Sequence, residues 1–396
     1  MDTLDLARTR RERRERLVAA MARHDVPALL LLGRANVQYA TGWSWRPSDA
    51  GRAHQEPAIA LVTCDDEVPH LFAPDVDETA PPELDPGHRH GALHPECDEG
   101  VRVLTERIAA ILGSRAEGRL GLDEATAPMH LRLGDHLPRL ERVDAVPLLA
   151  EARVRKTRDE VECLRRAQQI NDRAMLDVQA ALVPGMRTCD LTALFLRRVF
   201  ELGASGNVVD PIWQRMPTRL ASGPRSRNEE IAFPLPSADG ALAHGDAVWV
   251  DTGISFQGYV SDFGRTWIVG RGPTAAERAL HRRWRETVER VLVVLRAGVT
   301  AHDLTEAARA GEPRPPWLRH LYLGHGAGLD SAEMPLVGTD LGEAFDRSLR
   351  LEAGMVVVLE PVVWEEGVGG HRAEETFLVT DDGWERLCSH PFSPFD

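Results

Sequence analysis

Five residues in the second half of the chain are of the types, and in the settings, that hold metal ions: Asp251, Asp262, His325, Glu360 and Glu374. Asp251 lies inside the apolar run Val248-Trp249-Val250-Asp251-Thr252-Gly253. A turn-prone Ser255-Phe256-Gln257-Gly258 follows, and then a second short run ending in Ser261-Asp262. This pattern predicts a β-hairpin with the two aspartates on neighbouring strands, where they repel unless a cation sits between them. His325 is set in Gly324-His325-Gly326-Ala327-Gly328, whose glycines admit a ligand or another backbone closely. Glu360 ends the apolar run Met355 to Leu359 and precedes Pro361; Glu374 lies in Arg372-Ala373-Glu374-Glu375-Thr376. An acid at the end of such a run is expected to be buried, at a cost on the order of several kcal/mol unless it is paired or metal-bound. Four carboxylates and one imidazole match two divalent ions of the Mn, Fe, Co or Zn type, which activate water and polarise the reacting oxygen.

The elements that must position these residues follow from periodicity and breakers. A first helix is expected over 4–24, then strands at Ala28–Leu32, Val37–Ala40, Ala58–Val62 and Val68–Phe72, a loop over 74–98, a helix over 99–113, and strands at Arg119–Asp123 and Val143–Pro147. Alternating strands and helices over 1–150 predict a small α/β domain. A boundary is placed at 150/151. A long amphipathic helix then begins and ends at Pro184-Gly185, and a second runs from Thr188, read as its cap, to Leu202. Five prolines make 205–246 read as irregular. Helices are expected over 274–297 and 301–310, and strands around Leu321–Leu323, Met355–Val363 and Glu374–Val379.

Bulk composition excludes some functions. The 396 residues carry a formal charge of −14, which argues against general nucleic-acid binding. Lys156 is the only lysine among 47 Lys+Arg, so nearly all cations are arginine. The basic run Thr9–Arg16 reads as the solvated face of the first helix rather than as a nucleic-acid arm. Five scattered cysteines without CxxC spacing fit a reduced, cytoplasmic compartment. The apolar run Val26–Leu32 is too short to span a bilayer, so no membrane partner is expected.

The spaced ligands carry a resemblance. Asp251-Thr252-Gly253, the second aspartate eleven residues on in Ser261-Asp262-Phe263-Gly264-Arg265-Thr266, Gly324 to Asp330, Glu360-Pro361 and Arg372-Ala373-Glu374 together resemble the pita-bread metallopeptidase superfamily. That superfamily contains methionine aminopeptidase, aminopeptidase P, prolidase and creatinase. Lys156 to Ala174 resembles the helix that opens the catalytic domain in the prolidase and aminopeptidase P branch. The resemblance implies an α/β N-terminal accessory domain (1–150) followed by an α+β pita-bread catalytic domain (151–396). It also implies a dinuclear centre on the five residues, a small-molecule or short-peptide substrate, and a homodimer.

The chain departs from that pattern at histidines. The segment of form H-E-x-P reads Ala332-Glu333-Met334-Pro335; no histidine lies in Ala232-Phe233-Pro234-Leu235; and His320 is one residue away from the position of a third, at Leu321. Such histidines provide general acid–base help worth roughly 10²- to 10⁴-fold. The chain is therefore expected to be a metal-dependent hydrolase of a non-standard small amino-acid-like or amide substrate. Substitute catalytic groups are Glu333, His371 and Arg372, with Arg372 also read as support for the metals; Trp43, Trp45, Arg46 and His320 are candidate substrate contacts. An Xaa-Pro peptidase using substitute groups, a lyase on the same fold and a non-catalytic binding module remain as alternatives.

Overall fold

A computed structural model describes residues 4–45, 57–219, 240–310, 323–339 and 341–391. Arg46, His320, Leu321 and the 232–235 segment lie outside the described residues. The chain divides into two compact units, Met1–Arg153 and Val154–Asp396.

In unit 1 the elements are α1 (Leu6–Arg23), β1 (Ala28–Leu31), α2 (Arg34–Thr41), β2 (Ile59–Thr63), β3 (His70–Phe72), α3 (Val76–Thr79), β4 (Arg89–His90), α4 (Asp98–Leu112), β5 (Gly118–Leu122), α5 (Ala127–His136), β6 (Leu140–Asp144) and α6 (Val146–Arg153). One sheet runs β4-β3-β2-β1-β5-β6. Its centre is β1, Ala-Leu-Leu-Leu, buried on both faces, antiparallel to β2 and parallel to β5. Asp5 caps α1 by accepting from the Arg8 amide at 2.9 Å.

Three expectations fail in this unit, one of them the loop over 74–98, which carries α3 and β4. Val37–Ala40 is not a strand but part of α2, which Gly42 closes in the left-handed region at φ 77°. The run is too short for periodicity to separate strand from helix. The strand expected at 143–147 ends at Asp144, whose carboxylate accepts from the Val146 amide and opens α6.

In unit 2 the elements are α7 (Arg158–Ala181), α8 (Thr188–Glu201), β7 (Gly206–Arg215), β8 (Ala247–Phe256), β9 (Tyr259–Val260), β10 (Phe263–Ile268), α9 (Ala275–Val294), α10 (Ala301–Arg309), β11 (Gly324–Gly326), β12 (Glu333–Val337), α11 (Glu343–Ser348), β13 (Val356–Leu359), β14 (Val362–Glu365), β15 (Gly369–Arg372), β16 (Glu375–Val379) and β17 (Trp384–Arg386). One sheet is ordered β10-β8-β7, with β9 also paired to β8; a second is β12-β11-β13-β16-β17; β14 and β15 form a ribbon.

Helices α7 and α8 pack on the first sheet around Phe195, Trp213, Val250 and Trp267. Helices α9 and α10 pack on the second around Trp284, Leu304, Val357 and Phe377. Burying each such side chain is worth roughly 2 kcal/mol. Thr157 and Glu160 form a capping box that starts α7, so this helix begins only after 157. The cap of α8 is Arg187, not Thr188, which is its first helical residue.

The irregular stretch expected over 205–246 contains the ten-residue strand β7. Pro211 is tolerated there because β7 is an edge strand whose register against β8 slips between Asn207 and Val209 and again between Val209 and Ile212.

Candidate metal centre

Each of the five ligand candidates sits at a strand or at a break in one, and all are buried. Asp251 is in β8, opposite Gly264 of β10. Asp262 occupies the two-residue interruption between β9 and β10. His325 is the middle residue of β11, and Glu360 follows β13 where Pro361 ends the pairing. Glu374 lies between β15 and β16, with its amide bonded to the Gly264 carbonyl at 2.9 Å. A Cβ on residue 264 would come within 2.5 Å of the Glu374 carboxyl carbon, so the two sheets can converge here only over glycine.

The side chains converge. Oxygens of Asp251, Asp262 and Glu374 lie within 4.8 Å of one another. His325 Nε2 is 3.3 Å from Asp262 Oδ2 and 3.0 Å from Glu360 Oε1. Its Nδ1 is 2.9 Å from the Gly326 carbonyl, which can only accept. Nδ1 therefore carries a proton, and Nε2 is the nitrogen that faces the carboxylates.

Arg372 enters the same cluster. Its Nη1 donates to Asp251 Oδ2 at 2.9 Å, and its Nη2 lies 2.6 Å from Glu374 Oε1 and contacts Glu360 Oε2. Its guanidinium carbon stands 5.1 Å from the Trp249 ring centroid.

One guanidinium does not balance four carboxylates. Burial pushes Asp251 up to about 6 despite Arg372 beside it. Burial also holds Glu374 well above the usual carboxylate range; Arg372 opposes this, but three other carboxylates reinforce it. Burial would raise Glu360 too, yet Arg372 and His325 outweigh it and hold this acid at about 2. For His325, burial favours the neutral ring, but Glu360 and Asp262 overcome this and raise it well above its usual value. Glu374 Oε2 is buried and has no hydrogen-bond partner among the described residues. Acids that would otherwise hold protons, an orphaned carboxylate oxygen and an oriented imidazole form a donor set suited to divalent cations.

The other sequence candidates are placed differently. His371 is not at the centre. Alternation along β15 turns it to the opposite face from Arg372, where its ring packs 5.0 Å from His281 and 5.7 Å from Trp284 of α9. Burial there depresses its pKa well below the usual value. Glu333, at the start of β12, is ion-paired with Lys156 Nζ at 2.5 Å, and its carboxylate lies against Gly328. Ala332 is exposed in the bend before it.

Trp43 and Trp45 belong to unit 1. They meet edge to face at 5.2 Å beside a cavity shared with Leu32, Val37 and Gln38, and the Trp43 indole N–H donates to Thr79. The sequence reading missed Lys156 as the partner of Glu333. It also missed the roles of Gln168, Asn171 and Asp172, three buried polar residues in the middle of α7.

Residues 162–381 match the model of metallopeptidase family M24, and residues 13–155 match the creatinase/prolidase N-terminal domain. The chain belongs to family M24. It is a metal-dependent hydrolase with the pita-bread fold behind a creatinase-type N-terminal domain. Among curated relatives, the Xaa-Pro dipeptidase of Pyrococcus horikoshii is 27% identical over 382 residues, covering 95% of this chain and 96% of that one. The Xaa-Pro dipeptidase of Pyrococcus furiosus is 30% identical over 250 residues, covering 62% of this chain and 66% of its own length. The fold is shared with the X-Pro aminopeptidase structure from Thermotoga maritima, at a TM-score of 0.76 and 21% identity over 96% of this chain and 98% of that one. The prolidase of Pyrococcus horikoshii gives 0.73 at 22% identity over 97% of this chain and 100% of that one. Among the described residues no helix is long and apolar enough to cross a membrane.

Proposed function

We propose that this M24 enzyme hydrolyses a C–N bond in a small amino-acid-like or amide substrate, with two divalent ions held by Asp251, Asp262, His325, Glu360 and Glu374. The observation that carries this is the completeness of the buried donor set in a chain whose bend before β12 has Ala332, a residue with no acid–base group. Four carboxylates against Arg372 leave three negative charges; two divalent ions would turn that into one positive charge and favour an anionic ligand. Ions bound there would polarise a carbonyl and lower the pKa of a water.

The chain's own residues do the rest. Arg372 holds Asp251, Glu360 and Glu374 at fixed spacing. His325 keeps Nε2 toward the centre because Nδ1–H is bonded to Gly326. Glu333, its ionised form supported by the Lys156 ammonium, would accept a proton from the attacking water and pass it to the leaving nitrogen.

A second reading is an Xaa-Pro dipeptidase, favoured by the similarity to enzymes of that name over 95% of the chain. The test is turnover of a panel of Xaa-Pro dipeptides and of small non-prolyl amides, by protein loaded separately with Mn²⁺, Co²⁺, Fe²⁺ and Zn²⁺. Cleavage confined to the amides, with solvent oxygen in the product, is the expected result. Proline-dependent cleavage establishes the second reading instead, and an alkene product without solvent oxygen establishes elimination.

A further inference from the structure

Three polar side chains of α7, Gln168, Asn171 and Asp172, are buried on one face of the helix, at i, i+3 and i+4. Buried polar groups at this density must be hydrogen-bonded, and here the bonds run to the aspartate hairpin, to the end of the described chain and, between Gln168 and Asp172, within the helix. Asn171 Nδ2 donates to the Thr252 carbonyl at 3.0 Å and to Ser261 Oγ at 3.0 Å, and its Oδ1 accepts from the Thr252 hydroxyl at 3.1 Å. Thr252 follows Asp251, and Ser261 precedes Asp262, so one side chain ties down the neighbours of both. The Asp262 amide donates to Gln168 Oε1 at 3.2 Å, and Gln168 Nε2 donates to Asp172 Oδ1 at 2.9 Å. Asp172 Oδ2 then accepts from the Ser389 hydroxyl at 2.9 Å, the His390 amide at 3.0 Å and the Ser389 amide.

The direction of this relay is fixed by its ends. The carboxylate of Asp172 accepts only, so the amide NH₂ of Gln168 must face it, which leaves Oε1 for the Asp262 N–H. The far end is also closed. Arg265, one residue after Gly264, reaches the Pro391 carbonyl, and the His390 ring packs edge to face on Phe263 at 5.0 Å. The segment 388–391 thus lies behind β10, on the side of the hairpin where α7 runs.

We propose that Gln168, Asn171 and Asp172, anchored by Ser389–His390, are positioning residues that set the separation and aim of Asp251 and Asp262. Metal affinity is thereby tuned from the C-terminal segment. The proposal rests on the metal centre described above. Hydrogen-bonding partners of metal ligands typically govern affinity by 10- to 100-fold.

The test uses the full chain loaded with Co²⁺, whose visible absorption reports coordination geometry. Gln168→Leu and Asp172→Asn are measured beside the parent for Co²⁺ dissociation constant, absorption spectrum and metal-free melting temperature. Ser389→Ala, which removes one of the three donors to Asp172 Oδ2 and is the variant that keeps the fold most safely, is measured with them. Weaker Co²⁺ binding by about 10- to 100-fold in Gln168→Leu and Asp172→Asn, a smaller loss in Ser389→Ala and a changed spectrum are expected. Lower melting temperatures with an unaltered dissociation constant and spectrum would make these residues merely structural and overturn the proposal. A parent that takes up no Co²⁺ would instead overturn the metal centre itself.

Discussion

Lys156 is the one lysine in a chain of 47 Lys+Arg, and its ammonium is almost wholly buried against Glu333. A guanidinium is larger and planar, and carries five N–H donors where an ammonium has three. Lys156→Arg is therefore expected to lower stability by about 1–3 kcal/mol through overpacking. Lys156→Met, which leaves Glu333 without that cation, is expected to cost about 3–5 kcal/mol. Urea unfolding measures both, and an arginine variant as stable as the parent would remove steric fit as the reason for the lysine. Among the ligands, Asp262 joins the imidazole to the carboxylate cluster, so Asp262→Ala is expected to abolish metal uptake and activity while leaving the fold; full metal content in that variant, by elemental analysis, would sink the assignment. Ala332→His restores an acid–base group next to Glu333, and peptidase turnover on Xaa-Pro dipeptides is expected to rise by roughly 10²-fold or more. An unchanged rate in a metal-loaded variant would place the divergence elsewhere in the pocket.

The strands that carry ligands are the elements whose character was written locally. In β8 an acid interrupts an apolar run and in β13 an acid ends one, so each could be read without knowing its neighbours; β11 was read only as a glycine-flanked histidine, the strand there being expected around Leu321–Leu323 instead of Gly324–Gly326. The rest depended on contacts made at long range. The pairing that makes β7 a strand despite Pro211 is supplied by β8, and the choice of face that removes His371 from the centre is set by α9. Arg372 as a cation of the cluster was legible only as a family position, because its three acids come from three separate places in the chain: β8, the residue after β13 and the link between β15 and β16. In unit 1 a further element-level consequence concerns β3 and β4. His70 Nδ1 lies 3.0 Å from His90 Nε2, His88 stacks on His70 at 4.3 Å, and Asp66 stands 3.8 Å away. Burial, with His88 and His90 adding to it and Asp66 opposing, pushes His70 down to about 4. A folded-state pKa below that of the unfolded chain means stability present above about pH 6.5 and lost as pH falls toward 4, because the unfolded state takes the proton first. Urea unfolding of the full chain is expected to show a loss on the order of 1–3 kcal/mol across that window, flattened in His70→Phe. Parallel curves for the two proteins would exclude His70 as the cause.

At the scale of the whole molecule, the five proposed ligands come from the strands of unit 2 and the links beside them, and none comes from unit 1. The ions would thus join β8 and the β9–β10 interruption of one sheet to β11, β13 and the start of β16 in the other. Without them, Arg372 is the guanidinium that the described residues bring to the cluster, and the excess of carboxylates works against the convergence that Gly264 permits. Binding that selects the folded state adds RT ln(1 + [L]/Kd), about 2.7 kcal/mol at a hundredfold excess over the dissociation constant. Chelation is therefore expected to lower protection from hydrogen exchange in β8, β10, β11, β13 and β16, while β1, β2 and β5 of unit 1 keep theirs. Exchange that accelerates equally in both units would mean that the ions stabilise the chain by some route other than joining these two sheets. Exchange unchanged everywhere, in protein shown to have lost its metal, would mean that Arg372 alone holds the sheets together and that the ions serve only the chemistry.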